Sequence, residues 1–220
     1  MFDQEVINML LRGIWETVYM TLGSTFLGYV IGLPMGILLT ISDKDGIKPN
    51  AFLYKVLDVI VNIVRSVPFL ILLILLIPFT RFVVGKSYGS TATIVPLVIA
   101  AAPFIGRMVE SSLKEVDAGV VEAAKSMGAT TMTIITRVLL VESRTSLING
   151  MTITLGTILG YSAMAGTVGG GGLGDIAIRY GYYRYEMPIM IVTVVLLILL
   201  VQIFQTIGMA ISNKLDRRKK

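Results

Sequence analysis

The chain has 220 residues, of which 55% are apolar and 15% charged, with a net charge of +5 and a mean hydropathy of +0.81. A soluble domain of this length has no interior large enough to hide that much apolar surface, so lipid is the solvent. Cys and His are both absent, which excludes thiol nucleophiles, imidazole acid–base chemistry, disulfides and the usual zinc sites.

In chain order, Met1–Arg12 lacks the basic start and small-residue cleavage site of a signal peptide. A first span is expected over 14–41, with Gly28, Gly32 and Gly36 at the four-residue steps that let membrane helices approach closely, and Pro34 expected to kink it. The turn-rich SDKDGIKPN stretch follows. An amphipathic lead-in then enters a second span, 56–80, carrying Asn62, Arg65 and Ser66 before Pro68. Arg65 either snorkels to the interface or lines the mouth of a path.

A third span, 91–108, holds Pro96 and Pro103. A fourth, 146–168, is rich in Thr, Gly, Ser and Ala and suits an interface or pore better than lipid. The glycines of 169–174 are expected to form a flexible loop. They are not a Walker loop, because no Gly-Lys-Ser/Thr follows. Asp175–Pro188 is expected to be a polar loop whose tyrosines suit the membrane interface, before a fifth span, 189–211, and a basic tail. The fold expected is an all-α integral membrane protein of about five transmembrane helices, a single domain over 1–220.

Thirteen basic residues fall on one side of such a chain, in the 44–55 region, the 107–144 region and the tail, against five on the other. The positive-inside rule then puts the N-terminus outside, and the 110–144 loop and C-terminus in the cytoplasm. These basic residues form no groove-binding patch, so nucleic acid is not an expected partner.

The 110–144 stretch is the polar exception in the chain. Leu113, Val116, Val120, Ala123, Ala124 and Met127 recur at three- and four-residue steps, as one face of a helix. Asp117 is placed as its N-cap, Gly128 as the residue that ends it, and Thr130 as the cap of a second helix. Glu122-Ala123-Ala124, then Gly128, then Val138-Leu139-Leu140 resembles the EAA loop of type I ABC-importer permeases. That family closes the motif with proline, where this chain has Val141. Arg65-Ser-Val-Pro-Phe69, Ile77-Pro-Phe-Thr-Arg81, Ala101–Glu110, Gly160-Tyr-Ser-Ala-Met164 and Gly172-Leu-Gly174 extend the resemblance to the methionine importers of that family.

The resemblance implies a cytoplasmic coupling helix that docks on an ATPase through Glu122, Ala123, Ala124, Lys125, Met127, Gly128 and Ala129. It implies a bacterial cell-membrane permease with no catalysis and no cofactor of its own. ATP and Mg would sit on two copies of an ATPase subunit, with a second copy of this chain and an external substrate-binding lipoprotein completing the assembly. The implied cargo is methionine, in L- and D-forms. Tyr161, Ser162 and Met164 are the path candidates, Met164 either closing the passage or filling a gap between helices. Another amino acid or small solute as cargo is the alternative, and an ATPase-independent carrier a further one. Glu16 and Arg65 are the charges such a carrier could use.

Overall fold

The first helix, α1 (Gln4–Ser42), runs without a break through Pro34. It packs along α5 (Ser90–Lys114) because its facing residues are small. A Cβ built at Gly32 would lie 2.6 Å from the Ala102 carbonyl oxygen, and one at Gly36 would lie 2.6 Å from that of Gly106. The two backbones therefore touch where the glycines leave room, and lipid-phase packing comes from that closeness. The structure, a computed structural model, describes residues 3–215; Arg217, Arg218, Lys219 and Lys220 of the basic tail lie outside the described residues.

Asn50 caps α2 (Ala51–Ser66), its side chain accepting the Leu53 amide at 3.0 Å. The helix exposes Phe52, Val56, Val59, Ile60 and Ile63 on one side and turns Tyr54, Asp58 and Asn62 toward α5. The second span expected over 56–80 is not one rod. The chain bends by 100° between α2 and α3 (Phe69–Leu75), and α4 (Ile77–Val84) follows. Pro68 is the cause: it has no amide hydrogen to continue the ladder, and it holds Val67 in extended backbone.

After α5 come α6 (Ala118–Ser126) and α7, a helical run over 131–142 that includes a π-helical turn, Ile134–Leu139. Val141 lies inside α7, which keeps its helical backbone up to Ser143, immediately before α8 (Arg144–Ala165). Beyond a 3₁₀ turn, Gly166–Val168, comes α9 (Gly172–Ile176), continued by a π-helical turn, Ala177–Tyr182. Most of the segment expected as an Asp175–Pro188 loop is therefore helical. Finally, α10 (Met187–Leu215) returns antiparallel to α8 and exposes Ile191, Val195, Ile198 and Ile203. Among the described residues, four helical stretches are long and apolar enough to cross a bilayer, and the bent α2–α3 pair counts as a fifth.

Candidate coupling surface and translocation path

Local chemistry fixes the 117–133 elbow residue by residue. The Asp117 carboxylate accepts the Gly119 amide at 2.8 Å and opens α6. At the other end Gly128 takes φ +78, a left-handed conformation with no steric penalty for glycine. Its N–H donates to the Lys125 carbonyl, and the Ala129 N–H to that of Ala124, the paired bonds of a Schellman ending. Thr130 then accepts the Thr133 amide at 3.2 Å and starts α7.

The elbow divides the expected docking residues into two sets. Glu122, Ala123, Lys125 and Gly128 are exposed, and Met127 is 82% exposed. Ala124 is buried and Ala129 half-buried, both packed with Ile134, Ile135 and Leu139. Ala124 and Ala129 thus hold α6 on α7, while the other five present a surface. The continuous apolar face expected from Leu113 to Met127 does not form, because α5 ends at Lys114 and residues 115–117 interrupt the helix before α6 starts at Ala118.

Beneath the elbow lies a charge cluster that periodicity did not single out. Glu110 is 4% exposed and accepts from Arg107 at 2.6 Å and from Lys114 at 2.8 Å. Arg107 also bonds Asp58 and Asn62 on α2, and Lys114 reaches Asp43 at 2.6 Å, just past α1. A buried carboxylate is tolerable only with such partners. Hydrogen bonding from Lys114 holds the Asp43 carboxyl below the usual carboxylate range. Three segments are thereby tied together where α5 gives way to the elbow. The one sequence signal was the Arg107, Glu110, Lys114 spacing on a single helix; Asp43 and Asp58 come from elsewhere in the chain.

At the opposite end Glu16 carries a different duty from an ion site. Its carboxylate accepts the Gly172 amide at 2.9 Å and the Arg12 guanidinium at 2.9 Å. Thr17 accepts the Leu173 amide at 2.9 Å. Two side chains of α1 thus cap the start of α9, and Thr93 donates to the Gly170 carbonyl from α5. These contacts are why residues 172–182 are helical.

The three path candidates separate. Tyr161 stacks on Phe69 with ring centroids 4.4 Å apart and lines a cavity of about 200 Å³ with Val64, Arg65, Leu72 and Phe104. Met164 is 50% exposed. Ser162 is 1% exposed and donates to the Leu159 carbonyl at 2.8 Å, so its hydroxyl faces the core and not a passage.

Residues 11–220 match the family model of the binding-protein-dependent transport system inner membrane component. A probable D-methionine transport system permease protein of Vibrio cholerae is 52% identical over 211 residues, 96% of this chain and 94% of that one. The D-methionine transport system permease protein of Escherichia coli is 52% identical over 164 residues, 74% of this chain and 76% of that one. A solved chain described as an inward-facing conformation of the MetNI methionine ABC transporter superposes with a TM-score of 0.97 at 50% identity, over 98% of this chain and all of that one. At 19% identity and a TM-score of 0.78, over 96% of this chain and 95% of that one, a structure of an amino acid ABC transporter with histidines shares the fold.

Proposed function

The chain belongs to the inner-membrane components of binding-protein-dependent transport systems, and on that premise we propose that it passes methionine across the membrane as the permease subunit of an ATP-driven importer. The observation that carries this reading is the exposed elbow. A nine-residue helix and its C-cap residue turn Glu122, Ala123, Lys125 and Met127 away from the bundle, in a chain half identical to methionine permeases. An outward-turned polar helix on a lipid-dissolved subunit needs a soluble partner, and a cytoplasmic ATPase supplies one.

The working assembly is two copies of this chain, two ATPase subunits and an external binding protein, with the N-terminus outside and the elbow and C-terminus in the cytoplasm. Closure of the ATPase pair on nucleotide pulls both elbows. Each pull passes through the Schellman turn into α7 and α8, and through the Glu110 cluster into α1, α2 and α5. The inner halves of the spans move as bodies, and the cavity between the two copies alternates its opening. An ion-driven carrier is the weaker reading, since the Glu16 carboxylate is already spent on Gly172 and Arg12. Co-purification with its ATPase, followed by a screen of amino acids for stimulated hydrolysis with the cognate binding protein, tests the proposal. Methionine is expected to stimulate most. Stimulation by a different amino acid alone, or uptake with no ATPase present, would contradict it.

A further inference from the structure

The Arg65 guanidinium has no carboxylate partner among the described residues and is exposed. It lies deep. The cavity it lines is also lined by Ala100 and Phe104, which flank the midpoint of α5. A guanidinium stays charged at every accessible pH, and at mid-depth it faces water or an anion, never hydrocarbon. The rest of that cavity is apolar or aromatic: Val64, Phe69, Leu72, Phe104 and Tyr161. Its roughly 200 Å³ is below the range of about 300–1,000 Å³ for drug-sized ligands. The break at Pro68 adds a third element. The Asn62 carbonyl takes the Ser66 hydroxyl, Val67 turns its amide back onto the Val64 carbonyl and Pro68 has none to give, so the remaining carbonyls that end α2 beside Arg65 lack donors from a continuing helix. Fixed positive charge, an apolar slot and free carbonyl oxygens together complement one chemical class.

We propose that the cavity between Arg65, Phe104 and the Phe69–Tyr161 stack is a transit site for a single α-amino acid with an unbranched apolar side chain. The inference rests on the permease reading and names the residues that would touch the cargo. Arg65 takes the carboxylate, the α2 carbonyls at the break take the ammonium, and Phe69, Phe104 and Tyr161 take the side chain. A thioether fits this slot because polarizable sulfur makes favourable contact with aromatic rings. Broken helices that meet a charged substrate group near mid-membrane are a recurring solution in transporters. The site discriminates by charge at one end and by shape at the other, independently of the external binding protein.

The test uses the permease–ATPase complex in lipid nanodiscs without binding protein. Equilibrium binding of L-methionine, norleucine and methioninol, which lacks the carboxylate, is compared in wild type, Arg65→Gln, Arg65→Lys and Phe104→Ala. The change caused by Arg65→Gln isolates this site from any other in the complex. Arg65→Gln is expected to weaken L-methionine about 10–100-fold, the loss of one charge-assisted contact, and methioninol little. Arg65→Lys, which keeps the charge and guards against misfolding as the explanation, should recover part of that loss. Phe104→Ala should weaken both methionine and norleucine, methionine the more because it also loses a sulfur–aromatic contact. Unchanged methionine binding in Arg65→Gln, or equal losses for methionine and methioninol, would overturn the site. Should wild type still take up methionine with its ATPase and binding protein, the permease reading survives that result. Absence of methionine uptake in wild type would instead strike the permease reading itself.

Discussion

The Glu16 carboxylate accepts the amide hydrogen of Gly172 at 2.9 Å across 156 residues of chain. A side chain on the first helix thereby caps a helix that begins three-quarters of the way along the sequence. Replacing Glu16 with Ala removes the acceptor and leaves a part-buried N–H unpaired, at a cost of about 1–3 kcal/mol. Glu16→Gln keeps an acceptor oxygen and should lose less. Thermal unfolding in detergent and hydrogen exchange at Gly172 and Leu173 check the ordering. Equal stability in both variants would contradict it.

Reversal of charge at the elbow is expected to separate ATP hydrolysis from transport. Glu122 is exposed on α6 and makes no ion pair among the described residues, so Glu122→Lys leaves the fold of the chain intact and changes only what meets it. Methionine moved per ATP hydrolysed should fall several-fold, or the ATPase should fail to co-purify. Normal assembly and normal ATP-dependent uptake would count against the docking role.

Asp58 ties α2 to Arg107, and through it to buried Glu110. Asp58→Asn removes one arm of the cluster while leaving Glu110 neutralised by Arg107 and Lys114. Truncating Glu110 removes the buried carboxylate that both cations share and leaves Arg107 with Asp58 alone and Lys114 with Asp43 alone, so Glu110→Ala should cost more than Asp58→Asn. Chemical unfolding of the two variants in one detergent measures the difference. A reversed order would show that α2, and not α5, carries the cluster.

The Asp43–Lys114 contact sets a sign for the acid response. Lys114 lowers the folded-state pKa of Asp43, so the stabilisation is complete above the ordinary Asp value of about 3.9 and fades as pH falls through the lower folded value. Asp43→Asn should therefore lower stability near neutral pH and converge with wild type in strong acid. Unfolding midpoints across this range, measured for both proteins, would refute the assignment if the gap stayed constant.

Much of the architecture was legible because lipid imposes long apolar runs, and the elbow was legible because capping is local. Asp117, Gly128 and Thr130 act within three residues of themselves, so the sequence carries the whole instruction. Where distant side chains decide, local sequence does not carry the instruction. Helix formation at 172–182 depends on Glu16 and Thr17, and the Glu110 cluster on Asp43 and Asp58. Pro68 alone does not announce the break in the second span, since proline is tolerated in some membrane helices: α5 continues through Pro96 and Pro103. The motif includes Ala124 without saying which side of the helix meets its neighbour. Packing on Ile134 and Ile135 decides that.

The most direct test of the account is the side and the shielding of the elbow. Because the chain has no cysteine, Met127→Cys gives a single thiol at an exposed point of the elbow, where Met127 is 82% exposed. Labelling with a membrane-impermeant maleimide in oriented vesicles should modify it only from the cytoplasmic face, and the bound ATPase should block the reaction. Modification from the external face, or full reactivity with the ATPase assembled, would contradict the elbow as the handle on which the motor pulls.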